Sequence, residues 1–468
     1  MSDEGHRLDP QDWAAYRADF HKLLDQCVDR MQAARDLPWQ PVPADLSDRI
    51  AMGQGGDVMQ RMVTDIMPYA TGNTHPRFFG WVHGTGQAIS VAAELVAATM
   101  NSNLGGRDHG AVEVERTVIE WLCDVAGLPE QAFGILTSGT SQATILALTA
   151  ARFRAFGDVR KTGIAGLPRM RVYMAEGAHS CIPGALEIMG HGTDAVFKVA
   201  LTPAGHIDLD CLAAAVDLDH SEGIYPLAVV GTAGSVNTGT FDPFERLADF
   251  CETRGIWLHA DAAFGFWTLL AEEPWRHLSR GIHRAQSIAT DFHKWIGVPY
   301  DCGACLISDR DLHRRTFSSR PEYLASQASG LAGGDLWFCD YGVELSRGFK
   351  ALKVWAAVES LGTQALGASI SDNCRQAALM GELAQASDLL DLALPVVSNL
   401  CCFSPRHGTA ADIAAKLQLS GEAVFSTTTL NGQSCLRAAI VNHRTTSDDI
   451  RLAMAAVERE VRNVATAI

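Results

Sequence analysis

Short apolar runs alternate with longer amphipathic ones through the middle of the chain. The β-branched runs at 172–174 and 227–230 are typical of strands, whereas the helical periodicity at 143–156 and 243–253 indicates amphipathic helices. Alternation of this kind is typical of a mostly parallel sheet that is covered by helices. We therefore predict an α/β fold with a large domain over residues 86–355.

The two ends of the chain follow different patterns. Residues 1–85 carry helical periodicity in pieces and then a Pro-rich stretch at 38–43, which predicts a helical arm more than a self-sufficient core. Residues 356–468 continue a long helical pattern and contain strand-like runs near 395–404 and 435–441. This order predicts a small C-terminal α+β domain.

Composition narrows the class of partner. The 468 residues are 47% apolar and carry a net charge of −16 that is spread along the chain. That charge disfavours a nucleic-acid partner and favours a small molecule. No secretory pattern opens the chain, and no apolar run approaches the roughly 20 residues of a membrane span. With twelve scattered cysteines, which suit reduced thiols, we expect a cytoplasmic enzyme without membrane contact.

Two cysteine patterns resemble metal or redox motifs. Cys302 and Cys305 have CxxC spacing, but no second CxxC or paired histidines accompany them. Cys401 and Cys402 lie in a continuous apolar run. We predict buried strands at both places and propose no metal.

Two polar stretches follow strand-like runs. Thr140 and Ser141 lie in a small-residue turn that opens a helix, where free N–H groups and hydroxyls suit a phosphate, although an ordinary helix cap has the same composition. His179 follows the next strand-like run and could stack on a flat ligand or transfer a proton. A capping or core histidine is the alternative interpretation.

Two charged residues follow later strand-like runs. Asp261 lies between alanines at the end of an apolar run, and burial there requires a cationic or protonated partner, unless it caps a helix or pairs with an arginine. Lys294 lies in the stretch TDFHKW; a lysine is by default solvated, but a half-buried one can become a nucleophile toward carbonyl carbon. A phosphate cradle, a flat-faced histidine, a buried acid and a reactive lysine match the phosphate, ring, pyridine nitrogen and aldehyde of pyridoxal 5′-phosphate. We therefore predict this cofactor.

Seven stretches together resemble one known family. They are HPRFFGW (75–81), TSGTSQATILAL (137–148), GAHS (177–180), GTAGSVNTGTFDP (231–243), WLHADAAFG (257–265), DFHKW (291–295) and ELSRGFKALKVW (344–355). In this order they resemble the pyridoxal-phosphate-dependent group II amino-acid decarboxylases, which include aromatic-L-amino-acid, histidine and glutamate decarboxylases. The resemblance implies the aminotransferase-like fold, called fold type I, and a homodimer with shared active sites in which the N-terminal arm wraps the partner.

The resemblance also implies roles for single residues. Lys294 is similar to the Schiff-base lysine, Asp261 to the partner of the pyridine nitrogen, and His179 to the histidine that stacks on the ring. Further cofactor-binding residues implied in this way are Thr140, Ser141, Asp291 and His293 around the phosphate, Ala263 under the ring, and Ser235 near its phenolic oxygen. The implied reaction is decarboxylation of an L-amino acid to the amine and CO₂, with orientation selecting the bond that breaks.

The chain departs from the family pattern in a loop before the last stretch. Many aromatic-amino-acid members carry a tyrosine there that protonates Cα, whereas the simplest alignment places Phe338 at that position and Tyr341 three residues later. Either Tyr341 or another group donates the proton, or the substrate carbanion persists and reacts with oxygen to give an aldehyde.

The residues expected near the substrate give two different indications of the substrate side chain. Trp81 and His83 align with an aromatic wall, which favours an aromatic or large side chain. Asn101, Asn103 and Arg107 align with an apolar region of the aromatic-substrate enzymes, which favours a polar one. An aromatic amino acid is favoured narrowly.

Three other functions fit parts of the pattern. Another pyridoxal-phosphate reaction, such as transamination or carbon–carbon cleavage, would use the same cofactor residues. A catalytically silent member could serve as a binding partner. A dinucleotide-dependent oxidoreductase is disfavoured, because no GxGxxG follows an early strand and the glycine-rich stretch at 52–57 lies in the wrong context.

Overall fold

The computed structural model describes residues 8–53, 55–319, 327 and 329–466. Over these residues the α-helices are α1 Trp13–Gln32, α2 Leu46–Arg49, α3 Val58–Arg61, α4 Ala88–Met100, α5 Gly110–Ala126, α6 Thr140–Phe156, α7 Cys181–Ile188, α8 Leu209–Ser221, α9 Phe244–Arg254, α10 Arg310–Phe317, α11 Ala351–Ala386, α12 Ala410–Leu419 and α13 Ser447–Thr466. None of the helices in the described ranges is long and apolar enough to cross a membrane.

A mixed sheet lies at the centre of the larger part. The strands described for it are β1 Phe133–Thr137, β2 Met170–Ala175, β3 Val196–Val199, β4 Tyr225–Thr232, β5 Trp257–Asp261, β6 Ser287–Asp291 and β7 Gly303–Ile307. They lie in the order β1-β7-β6-β5-β4-β2-β3, and the pairs that involve β7 are antiparallel while the others are parallel. The predicted mostly parallel sheet of an α/β fold is confirmed.

The central strands of the large sheet are covered on both faces. Every residue of β1, β5, β6 and β7 is buried. Strands buried on both faces lose the polar alternation that a half-exposed strand shows. Cys305 lies within β7 and Cys302 directly precedes it, both buried, so the CxxC spacing belongs to a buried strand as predicted.

A second sheet forms the smaller, C-terminal part. Its strands are β8 Leu390–Leu392, β9 Leu400–Pro405, β10 Ser426–Leu430 and β11 Gln433–Ala439, in the antiparallel order β10-β11-β9-β8 over the described residues. Met380, Phe403, Leu436 and Val457 belong to its own hydrophobic core, separate from that of the large sheet. The proposed boundary between residues 355 and 356 falls inside α11, which is continuous except for a break at Gly362.

The N-terminal segment divides into an exposed helix and an anchored stretch. Helix α1 has no buried side chain. Farther along, the Phe79 amide donates to the Val424 carbonyl over 2.7 Å, and the Phe79 carbonyl accepts from the Ala439 amide over 2.9 Å. Arg35 also pairs with the buried Asp449 over 2.8 Å. The stretch after α1 is therefore fastened to the C-terminal sheet.

Candidate active site

The register of the large sheet brings polar strand ends together. Thr232 at the end of β4 lies beside Asp261 at the end of β5. Asp291 at the end of β6 and Thr137 at the end of β1 both lie opposite Gly303, the first residue of the antiparallel β7. Because carboxyl ends of parallel strands meet at one edge of a sheet, this edge gathers side chains from distant parts of the sequence.

Lys294 lies in the short helical turn Phe292–Ile296 that directly follows β6. Its Nζ contacts Asp291 Oδ2 at 2.8 Å. Asp291 Oδ1 accepts from the Thr140 amide over 2.7 Å, so one carboxylate connects the lysine to the first residue of α6. His293 is held from the other side, since its Nδ1 accepts from the Cys302 amide over 3.1 Å.

Asp261 is buried at the same edge of the sheet. Burial raises the pKa of its carboxyl group, while the positive charge of Lys294 and the imidazole of His179 oppose that rise. The polar contacts of the carboxylate are weak: the Ala263 amide donates over 3.4 Å and the Cys181 thiol over 4.0 Å. Such a carboxylate can still bind a protonated ligand nitrogen, because a positive partner offsets the cost of burying its charge.

A cavity of about 580 Å³ opens over this edge. Thr140, Ser141, Asp291 and His293 line one part of it, and His179, Asp261, Ala263 and Lys294 line another. Trp81 and His83 form part of its wall. The structure thus brings together, in one cavity, most of the residues that the sequence singled out.

Ser235 is not among the residues that line this cavity. Its hydroxyl bonds to the hydroxyls of Thr238, over 2.6 Å, and Thr240, over 3.0 Å. Its neighbours Gly234, Val236 and Asn237 line the cavity in its place. The turn that carries Ser235 reaches the cavity, but the Ser235 hydroxyl is engaged within that turn.

Asn101 and Asn103 also lie away from the cavity in this chain. Asn101 ends α4 in a left-handed backbone conformation and is exposed. Asn103 Oδ1 accepts from the Gly105 and Arg347 amides, each over 2.9 Å. Arg107 lies over the ring of Trp337, 4.7 Å from its centroid. These polar groups are used in local structure instead of facing Lys294.

Phe338 and Tyr341 are both buried in the core beside β1. Phe338 is 0% exposed and stacks on Phe133, with ring centroids 6.1 Å apart. Tyr341 is 3% exposed, and its hydroxyl accepts from Arg310 Nε over 3.1 Å. The structure therefore separates Tyr341 from the cavity that holds Lys294. Ser326 and Ala328, at the start of the same loop, lie outside the described residues.

Two further residues of the cavity wall were missed in the sequence. Arg437 of β11 lines the cavity from the C-terminal sheet, and burial lowers its pKa to about 10. Its Nη2 is buried and has no hydrogen-bond partner in the described part of the chain. Tyr300 stacks near His293, with ring centroids 4.4 Å apart. In the sequence, Arg437 could have been recognised as a candidate site residue only because it is a charged residue within the apolar run LRAAI.

The donor set of the cavity fits pyridoxal 5′-phosphate. The hydroxyls of Thr140 and Thr232 are buried and have no partner among the described residues, although both line the cavity. Such hydroxyls require a ligand or water. Thr140 and Ser141 also begin a helix of 17 residues, whose N-terminus favours a phosphate. Thr140 and Ser141 would hold the phosphate, Asp261 the ring nitrogen, and Lys294 the aldehyde.

This geometry is that of a pyridoxal-phosphate enzyme of fold type I. The model of the pyridoxal-dependent decarboxylase conserved domain matches residues 44–406. The chain belongs to this family of pyridoxal-phosphate-dependent amino-acid decarboxylases.

Individual relatives span most of the chain. An aromatic-L-amino-acid decarboxylase of Bacillus atrophaeus is 30% identical over 80% of this chain and 79% of its own length. An L-2,4-diaminobutyrate decarboxylase of Rhizobium meliloti is 28% identical over 98% and 94%. The crystal structure of Oryza sativa TDC with PLP and tryptamine matches with a TM-score of 0.89 and 25% identity, covering 98% of this chain and 99% of that one. The predicted family, fold and cofactor are confirmed.

Proposed function

We propose that this chain decarboxylates an L-amino acid with an aromatic side chain, releasing CO₂ and the amine. The observation that carries the proposal is the convergence of Lys294, Asp261 and His179 on one cavity with an aromatic wall. Trp81 has φ of 51°, a conformation that is strained for a bulky residue. Strain of this kind at a cavity supports a role for Trp81 in binding.

The wall favours a flat, large side chain. His83 stacks on Trp81 with centroids 5.5 Å apart and on Phe78 at 5.9 Å, and Tyr300 meets it edge-on at 6.1 Å. Offset and edge-to-face contacts of this kind extend to an aromatic substrate. The free Nη2 of Arg437 offers a charged donor for an anionic group of the ligand. The relatives include enzymes named for aromatic, diamino and acidic substrates, so the choice of an aromatic substrate rests on the cavity wall.

Each cavity residue has its own role in the proposed decarboxylation. The bound cofactor supplies an aldehyde for the amine and a ring that accepts electrons. Asp261 would hold a proton at the ring nitrogen, His179 would pack against the ring, and Thr140 and Ser141 would hold the phosphate. Asp291 holds the Lys294 amine beside the turn that binds the phosphate. The cavity wall orients the Cα–carboxylate bond, which selects decarboxylation over other reactions.

A homodimer with shared active sites completes the proposal. Helix α4 exposes Leu95, Val96 and Met100, and α1 exposes Trp13. Exposed apolar helix faces are typical of subunit interfaces. Analytical ultracentrifugation that finds a monomer at micromolar concentration would contradict this part.

The cysteines support a reducing compartment, which we propose to be the cytoplasm. All twelve are free thiols in the structure. Several are deeply buried, and burial raises the pKa of Cys305 to about 12. Such thiols stay protonated and inert at neutral pH.

A substrate panel tests the proposed reaction. The holoenzyme is incubated with aromatic, acidic, basic and diamino acids, and CO₂, amine, aldehyde and peroxide are measured together. The proposal expects CO₂ and amine in equal amounts, with the highest kcat/KM for an aromatic substrate. Aldehyde with peroxide would favour oxidative deamination, a second candidate that is motivated by the burial of Phe338 and Tyr341 away from the cavity. Turnover without CO₂ would overturn decarboxylation.

A further inference from the structure

The proton donor for Cα has to be sought among the side chains that line the cavity. Phe338 carries no acidic proton, and Tyr341 is buried with its hydroxyl bonded to Arg310. Neither residue lines the cavity that holds Lys294. Among the described residues, the cavity offers His83, His179, His293, Lys294 and Tyr300 as groups with a transferable proton at an N or a phenolic O. The Nδ1 of His293 is already engaged by the Cys302 amide.

His83 is held close to Lys294 by the backbone. The segment that carries it passes directly against the turn after β6, since a Cβ atom at Gly84 would lie 1.8 Å from the His293 carbonyl oxygen and 2.7 Å from that of Lys294. The Gly84 carbonyl is also fixed by the Asn73 side chain. The approach is possible only because residue 84 is a glycine.

The imidazole of His83 is oriented but its nitrogens are free. Phe78 and Trp81 stack on the ring and Tyr300 meets it edge-on. Within the described residues, neither ring nitrogen has a hydrogen-bond partner. A ring that is fixed by stacking and has unused nitrogens in a reactive cavity is suited to proton transfer.

We propose that His83 delivers the proton to the substrate Cα, the role for which Phe338 and Tyr341 are not available. The inference rests on the proposed decarboxylation. When CO₂ leaves, its bonding electron pair remains at Cα; the N–H bond of the His83 imidazolium breaks, a C–H bond forms at Cα, and the ring becomes neutral. Solvent at the cavity mouth returns a proton to His83, so the net reaction consumes one proton and needs no oxidant.

The charge of Lys294 controls when His83 is protonated. Burial and the Lys294 ammonium both lower the pKa of His83. In the described part of the chain, Lys294 acts on the ring through its charge and Tyr300 meets it edge-on. Partial burial raises the pKa of Tyr300 to about 12, which leaves it neutral. When the Lys294 amine is no longer an ammonium, one of the two causes is removed, and the pKa of His83 rises toward neutral pH.

Histidine hydrogen exchange in the apoprotein tests this proximity without any catalysis. Exchange of the imidazole C2 hydrogen, followed by mass spectrometry across pH, gives the titration midpoint of each histidine. Lys294→Met is expected to raise the midpoint of His83. His191 is the matched control, because its pKa is lowered by burial and by Arg152 instead. An unchanged His83 midpoint would overturn the proposed coupling.

A second experiment tests the proton transfer itself. His83→Phe preserves the stacking with Phe78 and Trp81 and is expected to lower the rate of amine formation by roughly 100-fold or more at nearly constant KM. Added imidazole should restore part of the rate in His83→Gly. Tyr300→Phe, the competing donor, should have a much smaller effect.

The outcomes separate this inference from the proposed function. If His83→Phe forms amine at the wild-type rate, or if Tyr300→Phe shows the large loss instead, His83 is not the donor. Borohydride attachment of the cofactor to Lys294 and release of at least one equivalent of CO₂ per site are expected in every His83 variant. Loss of CO₂ release from the wild-type enzyme would instead contradict decarboxylation.

Discussion

Lys294 Nζ lies 2.8 Å from Asp291 Oδ2, and this carboxylate also accepts from the amide that begins α6. The carboxylate is buried at the end of β6. It therefore ties the reactive amine and the proposed phosphate-binding turn to the same strand. Since neither contact involves the cofactor, the contribution of the Asp291 carboxylate to stability can be measured in the apoprotein.

Removal of Asp291 is expected to destabilise the apoprotein. Asp291→Ala leaves the Thr140 amide and the Lys294 ammonium without their acceptor, and we expect a loss of about 2 to 4 kcal/mol in the free energy of unfolding. Asp291→Asn keeps one acceptor oxygen and should lose less. Urea unfolding followed by tryptophan fluorescence measures both. Equal losses in the two variants would contradict the proposed double contact.

Asp261→Asn is expected to separate activity from stability. The amide has the same shape but cannot stabilise a protonated ring nitrogen, so kcat should fall by roughly 100- to 1000-fold. Burial raises the pKa of Asp261, so its charged form is disfavoured in the fold and the neutral amide should not lower the melting temperature at pH 8. Asp124→Asn, at an exposed position, is the control for both measurements. A stable, fully active Asp261→Asn variant would exclude the proposed role.

Glu115 of α5 and Arg347, in the segment just before α11, form a buried ion pair. Arg347 Nη2 also donates to the Leu136 carbonyl over 2.8 Å. Arg347→Met should cost about 3 to 5 kcal/mol, because it leaves the buried Glu115 without its partner. The double variant with Glu115→Gln should recover a large part of that loss. Additive losses in chemical unfolding would show that the two residues are not coupled.

The sequence predicted the residues at the strand ends of the cavity but not all the residues of its wall. Lys294, Asp261 and His179 follow strands of one parallel sheet, and the ends of such strands meet whatever the connections between them. Arg437 was missed because its place in the wall depends on how the C-terminal sheet packs over the large one. Tyr300 was missed because its ring direction in the connection between β6 and β7 depends on its contacts with His83 and His293. Local patterns carry no signal for that packing.

The misplaced residues have a related cause. Tyr341 is close in sequence to the expected donor, but its burial is decided by Arg310 and Phe133, which are distant in the chain. Asn103 is polar in a region aligned with an apolar one, yet its side chain satisfies the backbone of Arg347. A residue type shows that a polar group is present, whereas its direction is set by long-range contacts.

His259 is expected to make the fold less stable in acid. Burial lowers its pKa from 6.5 to about 4, so the unfolded chain binds the proton more readily and stability falls as pH decreases from about 6.5 toward 4. Between pH 7.5 and 5 this histidine alone should remove about 2 kcal/mol. In His259→Phe that part of the loss should disappear, because phenylalanine binds no proton. The fold should tolerate the change, since Ser287 still accepts the hydrogen bond from Trp257. Urea unfolding at the two pH values measures the difference, and the exposed His283→Gln serves as the control; an unchanged loss in His259→Phe would contradict the assignment.

The central claim is that the Lys294 amine forms the covalent link to pyridoxal phosphate. Reduction of the holoenzyme with borohydride, followed by proteolysis and mass spectrometry, locates the linked residue directly. The account predicts the phosphopyridoxyl group on Lys294 in the wild-type enzyme and none in Lys294→Ala. Its attachment to another lysine, or to no residue, would contradict the account.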